Sequence, residues 1–171
     1  MTKTHIHIIK MGGTIEFIDP AYDNINKSLM KMDSTIDSYL KNIIKPHFTY
    51  NIENVCEKDS REIKPEDLEK LIKIIETSPH DNILITHGTF TMKDTAKFLE
   101  EHFSKGEIKK KMILTGSMIP IVGFSVSDAP FNLGYSISSF NNIESGVYLC
   151  VNGGIFKYGE VEKNIELLRF E

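Results

Sequence analysis

The sequence predicts an α/β fold built on a mainly parallel sheet, and two observations carry that expectation. Short apolar runs alternate with segments of helical period along the chain, which is the pattern of βαβ units with helices covering both faces of a sheet. Three of the runs also end in small polar motifs, Gly12-Gly13-Thr14, His87-Gly88-Thr89 and Thr115-Gly116-Ser117. In open α/β sheets, ligands bind beyond the carboxyl ends of the strands. With 171 residues, 40% of them hydrophobic, the chain suffices for one domain with a core and leaves little room for a second. A single domain over 1–171 is therefore expected.

Residues 5–10 read as a buried strand that the two glycines end. The pattern is lost from Phe17 to about Lys31, where Asp19-Pro20 and Tyr22-Asp23-Asn24 suggest loop. Ile36, Leu40, Ile43 and Ile44 fall near helical spacing and predict a helix over 34–44. Residues 49–56 read as a strand, followed by the polar loop 57–62. Pro65 suits the first position of a helix, Glu66 and Asp67 suit its positive end, and Leu68, Leu71, Ile72 and Ile75 form its stripe before Pro79 stops it. Residues 82–86 are a third strand. Thr91 and Asp94 have the spacing of a capping box for the next helix, whose stripe is Met92, Ala96, Leu99 and Phe103. Residues 112–116 are a fourth strand, Ser127 caps a helix running to about 140, and residues 146–152 are a fifth strand that turns at Gly153-Gly154.

Composition narrows the function. A net charge of −4 is a poor footprint for a nucleic-acid binder. The basic run Lys109-Lys110-Lys111 reads as a solvated turn guarding a strand edge. Cys56 and Cys150 have no metal-site spacing, and Cys150 sits in an apolar run, so neither a disulfide framework nor a metal site is implied and a cytoplasmic location is the expectation. No stretch approaches the ~18 apolar residues of a membrane span. His5 and His7 share one face of a strand, with no third ligand evident.

Thr14 alone reads as a cap or turn residue. Gly12-Gly13-Thr14 also looks like a fragment of a phosphate loop, but it lacks both the dinucleotide and the P-loop spacings. Thr89, a second threonine after a glycine at a strand end, changes the weighing. Two hydroxyls at strand ends can face one pocket. A threonine hydroxyl is a weak nucleophile until a base or a hydrogen-bond network activates it. Adjacent glycines admit substrate to the backbone, where N–H groups stabilise an oxyanion. That is the chemistry of amide or ester cleavage without a cofactor.

The motifs MGGTIE, KDS, THGTFTM, LTGSMIP and SDAPFNLG occur in an order that resembles the bacterial-type L-asparaginases, from the first strand to the terminal Phe170-Glu171. The chain is similar to the N-terminal domain of those enzymes, whose usual length is about twice as great, and to their short single-domain members. The resemblance implies a three-layer α/β/α domain that hydrolyses the side-chain amide of a small amino acid or derivative, with no cofactor and no metal. It also implies a homodimer. Thr14 falls on the first catalytic threonine, Thr89 on the second, and Tyr22 is the tyrosine available in the loop that carries the activating one. The family's SQD substrate-binding element falls on Glu57, Lys58 and Asp59, and the arginine of its GAMRP motif is replaced by Ile119. Gly13, Lys58, Asp59, Gly88, Phe90 and Ser117 are the expected substrate-binding positions.

The resemblance also marks two departures. The family's HGTDT reads HGTFT, so Phe90 stands where an aspartate binds the substrate's α-ammonium; a substrate without a free ammonium would suit such a pocket better. The family's lysine follows a phenylalanine late in the domain, whereas Phe170 is followed by Glu171. Lys163 lies nearby in sequence, and no motif assigns it to the site. These departures motivate an alternative, a small-molecule-binding module on the same scaffold. His87 is expected to be structural, Asp128 to be a helix N-terminal acid, and Asn132 to support a loop.

Overall fold

A computed structural model describes residues 4–18, 34–104 and 109–171. Its main sheet has six strands: β1 (His5–Gly12), β2 (Thr49–Lys58), β3 (Asn82–Thr86), β4 (Lys111–Thr115), β5 (Gly146–Val151) and β6 (Gly154–Phe156). They lie in the order β2-β1-β3-β4-β5-β6. The first five are parallel and β6 pairs antiparallel to β5. A small antiparallel pair, β7 (Lys163–Asn164) and β8 (Arg169–Phe170), closes the chain.

The sheet is mostly covered because its strands are apolar on both faces. Ile9, Met11, Ile83, Ile85, Met112 and Leu114 pack on one side against α2 (Pro65–Thr77) and α3 (Met92–Phe103). Ile6, Ile8, Leu84, Ile113 and Cys150 pack on the other, against α1 (Thr35–Ser38) with its continuation Tyr39–Ile44 and against α4 (Ala129–Ser139). The alternation along each strand is the period of two that assigns neighbouring side chains to opposite layers. Both cysteines are free and buried. No helix among the described residues is long and apolar enough to cross a membrane.

Three local expectations are revised. The helix over 34–44 starts on the Ser34 cap, but it widens at Tyr39 into π-helical turns, with Lys45 N–H donating to the Leu40 carbonyl at 2.8 Å. Wider turns rotate the stripe, so Ile36 and Leu40 are buried while Ile43 and Ile44 face solvent. The Thr91 capping box does not form: Thr91 Oγ1 instead donates to the Ser60 carbonyl at 2.8 Å, tying the turn after β3 to the turn after β2. The lysine run is not merely solvated. Lys110 Nζ donates to the carbonyls of Ser78 and His80 at 2.7 and 2.9 Å, and Lys111 Nζ to that of Phe140 at 2.7 Å, so these side chains satisfy backbone groups at the amino ends of the strands.

Candidate functional site

The strand order locates the site before any side chain is considered. From β1 the chain crosses to β2 on one side, and β3 lies on the other. The order therefore reverses between the carboxyl ends of β1 and β3, and such switch points open a crevice. Thr14 follows β1 and Thr89 follows β3. Glycine is what lets their turns meet. Gly13 has φ +82°, and a Cβ there would stand 2.3 Å from the backbone nitrogen of Gly88. A Cβ on Gly88 would in turn stand 2.7 Å from Ser60 Oγ. A side chain at Gly13 would force the Thr14 and Thr89 turns apart, and one at Gly88 would push the Thr89 turn off Ser60 in the turn after β2.

The result is a pocket of about 410 Å³ lined by both threonines, with Phe90, Lys163 and Leu168 among its other walls. Thr14 opens a single 3-10 turn, Thr14–Glu16. That turn is anchored underneath by Glu16, whose side chain is 6% exposed and lies 3.3 Å from Lys10 Nζ. Thr35 Oγ1 also donates to Glu16 Oε2 at 3.2 Å. Burial pushes the Glu16 carboxyl above its ordinary pKa, against the opposing pull of Lys10.

Lys163, which no motif assigned to the site, reaches it. Its Nζ lies 2.7 Å from Thr89 Oγ1 and 3.7 Å from the centre of the Phe90 ring. Desolvation, reinforced by the nearby Arg61 guanidinium, holds the Lys163 ammonium below the usual lysine value. The cause of its placement is distant in sequence. Lys163 pairs across the hairpin with Phe170, which is buried and whose N–H donates to Asn152 Oδ1 at 3.1 Å. Phe170 thus fixes the lysine from the opposite strand.

Phe90 is half exposed and carries a second cation, with Arg61 Cζ 4.5 Å from the ring centre. Asp59 accepts from Arg61 Nε and Nη2, both at 2.9 Å, which holds its carboxyl down to about 2. Lys58 does not line the pocket: its ammonium sits 2.6 and 2.8 Å from the two oxygens of Asp67 on α2. Its backbone is what serves the site, because the Lys58 carbonyl accepts the Gly13 N–H at 3.0 Å. Ser117 is buried and its hydroxyl donates to the Ile119 carbonyl at 2.7 Å, inside the loop after β4. Tyr22 lies outside the described residues.

Asp128 lines the pocket, yet its oxygens are occupied by the N–H groups of Met118 and Ile119 at 3.0–3.1 Å and by Asn132 Nδ2 at 3.1 Å. Asn132 also donates to the Gly116 carbonyl and accepts from Asn152 N–H, each at 2.9 Å. Asn132 holds a loop, as the sequence suggests, whereas Asp128, which stands at the N-cap of α4, makes no side-chain cap bond there and instead holds the loop after β4. His87 is fully buried between the Gly88 carbonyl at 2.8 Å and Thr95 Oγ1 at 2.9 Å. The carbonyl can only accept, so Nδ1 carries the proton and Nε2 takes the threonine hydroxyl's. Desolvation lowers its pKa to about 4, which keeps it neutral and makes it a scaffold residue.

Sequence reading missed Lys163, Asn152, Leu168 and Ser60. The turn that brings Lys163 back over the sheet has no periodic signal. Asn152 and Leu168 have φ values of 53° and 50°, turn conformations that the sequence alone does not mark.

The family model for the N-terminal domain of asparaginases matches residues 5–165. The chain is 27% identical to a glutaminase-asparaginase of Acinetobacter glutaminasificans, covering 96% of this chain and 51% of that protein. It is 28% identical to a probable periplasmic L-asparaginase of Haemophilus influenzae, covering 93% and 46%. The chain thus spans about half the length of these relatives. Among solved structures, a probable cytoplasmic L-asparaginase from Campylobacter jejuni superposes with a TM-score of 0.73 at 28% identity, covering 99% of this chain and 53% of the other. L-asparaginase I from Vibrio cholerae superposes with a TM-score of 0.77 at 24% identity, covering 99% and 51%, a likeness of fold.

Proposed function

Because this chain belongs to the asparaginase family, matching the model of its N-terminal domain, we propose that it is a threonine-dependent amidohydrolase acting on the side-chain amide of a small amino acid or derivative. One observation carries the reading: Lys163 Nζ stands 2.7 Å from Thr89 Oγ1 in the pocket that Thr14 also lines. A lysine desolvated enough to lose its proton more readily than usual is a competent base for a neighbouring hydroxyl.

In the proposed reaction Thr14 Oγ adds to the amide carbon, and its proton leaves with the amide nitrogen as ammonia. The resulting ester on Thr14 is then attacked by water. Thr89 orients that water, and neutral Lys163 accepts its proton through the Thr89 hydroxyl. The Gly13 N–H is already spent on the Lys58 carbonyl, so the oxyanion falls to the N–H groups of Thr14 and Thr89. Tyr22 is the proposed proton acceptor for Thr14.

Ammonia release from asparagine, glutamine and amine-free primary amides tests the reading. Turnover on at least one of them, lost in Thr14→Ala, is expected. Absence of any Thr14-dependent turnover across the set overturns it.

A further inference from the structure

The pocket is equipped for negative and apolar groups and not for a positive one. Among the described residues, the carboxylate that lines it, Asp128, is consumed by two backbone N–H groups and Asn132. Asp59, just outside, has both oxygens on Arg61. The groups facing Phe90 are instead two basic side chains, Lys163 at 3.7 Å and the permanently charged Arg61 at 4.5 Å from the ring centre. Phe90, Met118, Ile119 and Leu168 supply the apolar part of the wall. Arg61 spends Nε and Nη2 on Asp59, which leaves Nη1 on a guanidinium already oriented in its plane.

An ammonium entering this pocket would meet the field of the Arg61 guanidinium held against the Phe90 ring, with no free carboxylate in the pocket wall to receive it. A carboxylate would meet an oriented guanidinium, and a methylene or acyl group would meet the ring. Resting on the hydrolase reading above, we propose that Phe90 and Arg61 select primary amides that carry a carboxylate but no free amine, namely ω-amides of simple dicarboxylic acids and N-acylated amino-acid amides. Phe90 is the specificity-determining wall. Arg61 takes the carboxylate through Nη1, and the scissile amide lies toward Thr14 and Thr89. The bond broken is the same amide C–N bond, and water and ammonia balance it as before.

Ammonia release from succinamic acid, N-acetylasparagine and asparagine is compared for the wild type, Phe90→Asp and Arg61→Gln. The expected result is a kcat/KM for succinamic acid or N-acetylasparagine at least tenfold above that for asparagine. Phe90→Asp is expected to shift the ratio toward asparagine by tenfold or more, and Arg61→Gln to raise KM for succinamic acid by a similar factor. A wild-type preference for asparagine over both amine-free amides overturns the proposed selectivity while leaving the hydrolase reading intact. If no amide is hydrolysed, the hydrolase reading falls, and melting shifts decide the selectivity separately. A larger shift with succinamic acid than with asparagine supports it, and an equal or smaller one overturns it.

Discussion

The turn that carries Thr14 and the turn that carries Thr89 leave neighbouring strands through the same pair of residue types, glycine then threonine, yet they are held by different means. Thr14 is fixed from below and from nearby in sequence. Its 3-10 turn ends in Glu16, and that carboxylate is buried against Lys10 and Thr35. Thr89 is fixed from afar: Lys163, 74 residues on, reaches its hydroxyl, and Thr91 reaches back to the Ser60 carbonyl. The difference teaches what each hydroxyl is suited to. The proposed nucleophile is the one presented on a turn anchored from below. The other is coupled to a titratable group, as a proton carrier should be.

The sharpest way to break the contrast is to remove the lysine. Lys163→Met deletes the base but leaves the Thr14 turn untouched. It is expected to lower kcat by about 10²–10⁴-fold, with the fold intact by circular dichroism. The pH profile carries an independent signature. In the proposed reaction the neutral lysine is the active form, so the rate is expected to rise with pH through a limb lying below the ordinary lysine pKa, because burial and Arg61 both favour the neutral state. Removing the guanidinium lets Lys163 hold its proton longer, so Arg61→Gln moves that limb to higher pH. An unmoved limb assigns the titration to another group.

A smaller effect is expected on the other side of the comparison. Glu16→Gln leaves Lys10 deep in the sheet, 5% exposed, with its remaining acidic partner Glu57 at 3.6 Å. Breaking a buried ion pair by removing one partner costs about 3 kcal/mol. Chemical denaturation checks this, and Lys10→Met combined with Glu16→Leu is expected to recover most of the loss. Recovery of stability without recovery of turnover would show that the ion pair aims Thr14 as well as holding the strand end.

The same contrast explains how much was legible in the sequence. The strands and the helical stripes were readable because burial imposes periods of two and of 3.6 that survive without tertiary context. Thr14 and Thr89 were readable because strand ends in a parallel sheet converge and glycine permits the approach. Lys163 was not, because its position depends on a β7–β8 hairpin of two-residue strands anchored by Phe170. Nor was the fate of Lys58, which resembles a substrate-binding position in order along the chain. Its side chain turns to Asp67, because α2 starts with acids within its reach.

The mildest test concerns the second anchor of the Thr89 turn. Thr91 Oγ1 donates to the Ser60 carbonyl at 2.8 Å, and Thr91 N–H approaches Ser60 Oγ at 3.3 Å. Thr91→Val is close in shape but removes the hydroxyl donor, leaving that carbonyl short of a partner. The expected loss is about 1 kcal/mol, or roughly 2–4 °C in Tm for a chain of this size. Thr91→Ser keeps the donor and is expected to stay within about 0.5 kcal/mol of the wild type. If Lys163 is the principal anchor of Thr89, kcat/KM in Thr91→Val falls by less than tenfold while stability drops. A loss of activity approaching that of Lys163→Met would mean that the Ser60 contact, not the lysine, sets where the Thr89 hydroxyl stands, and would reduce the lysine to one of two equal supports.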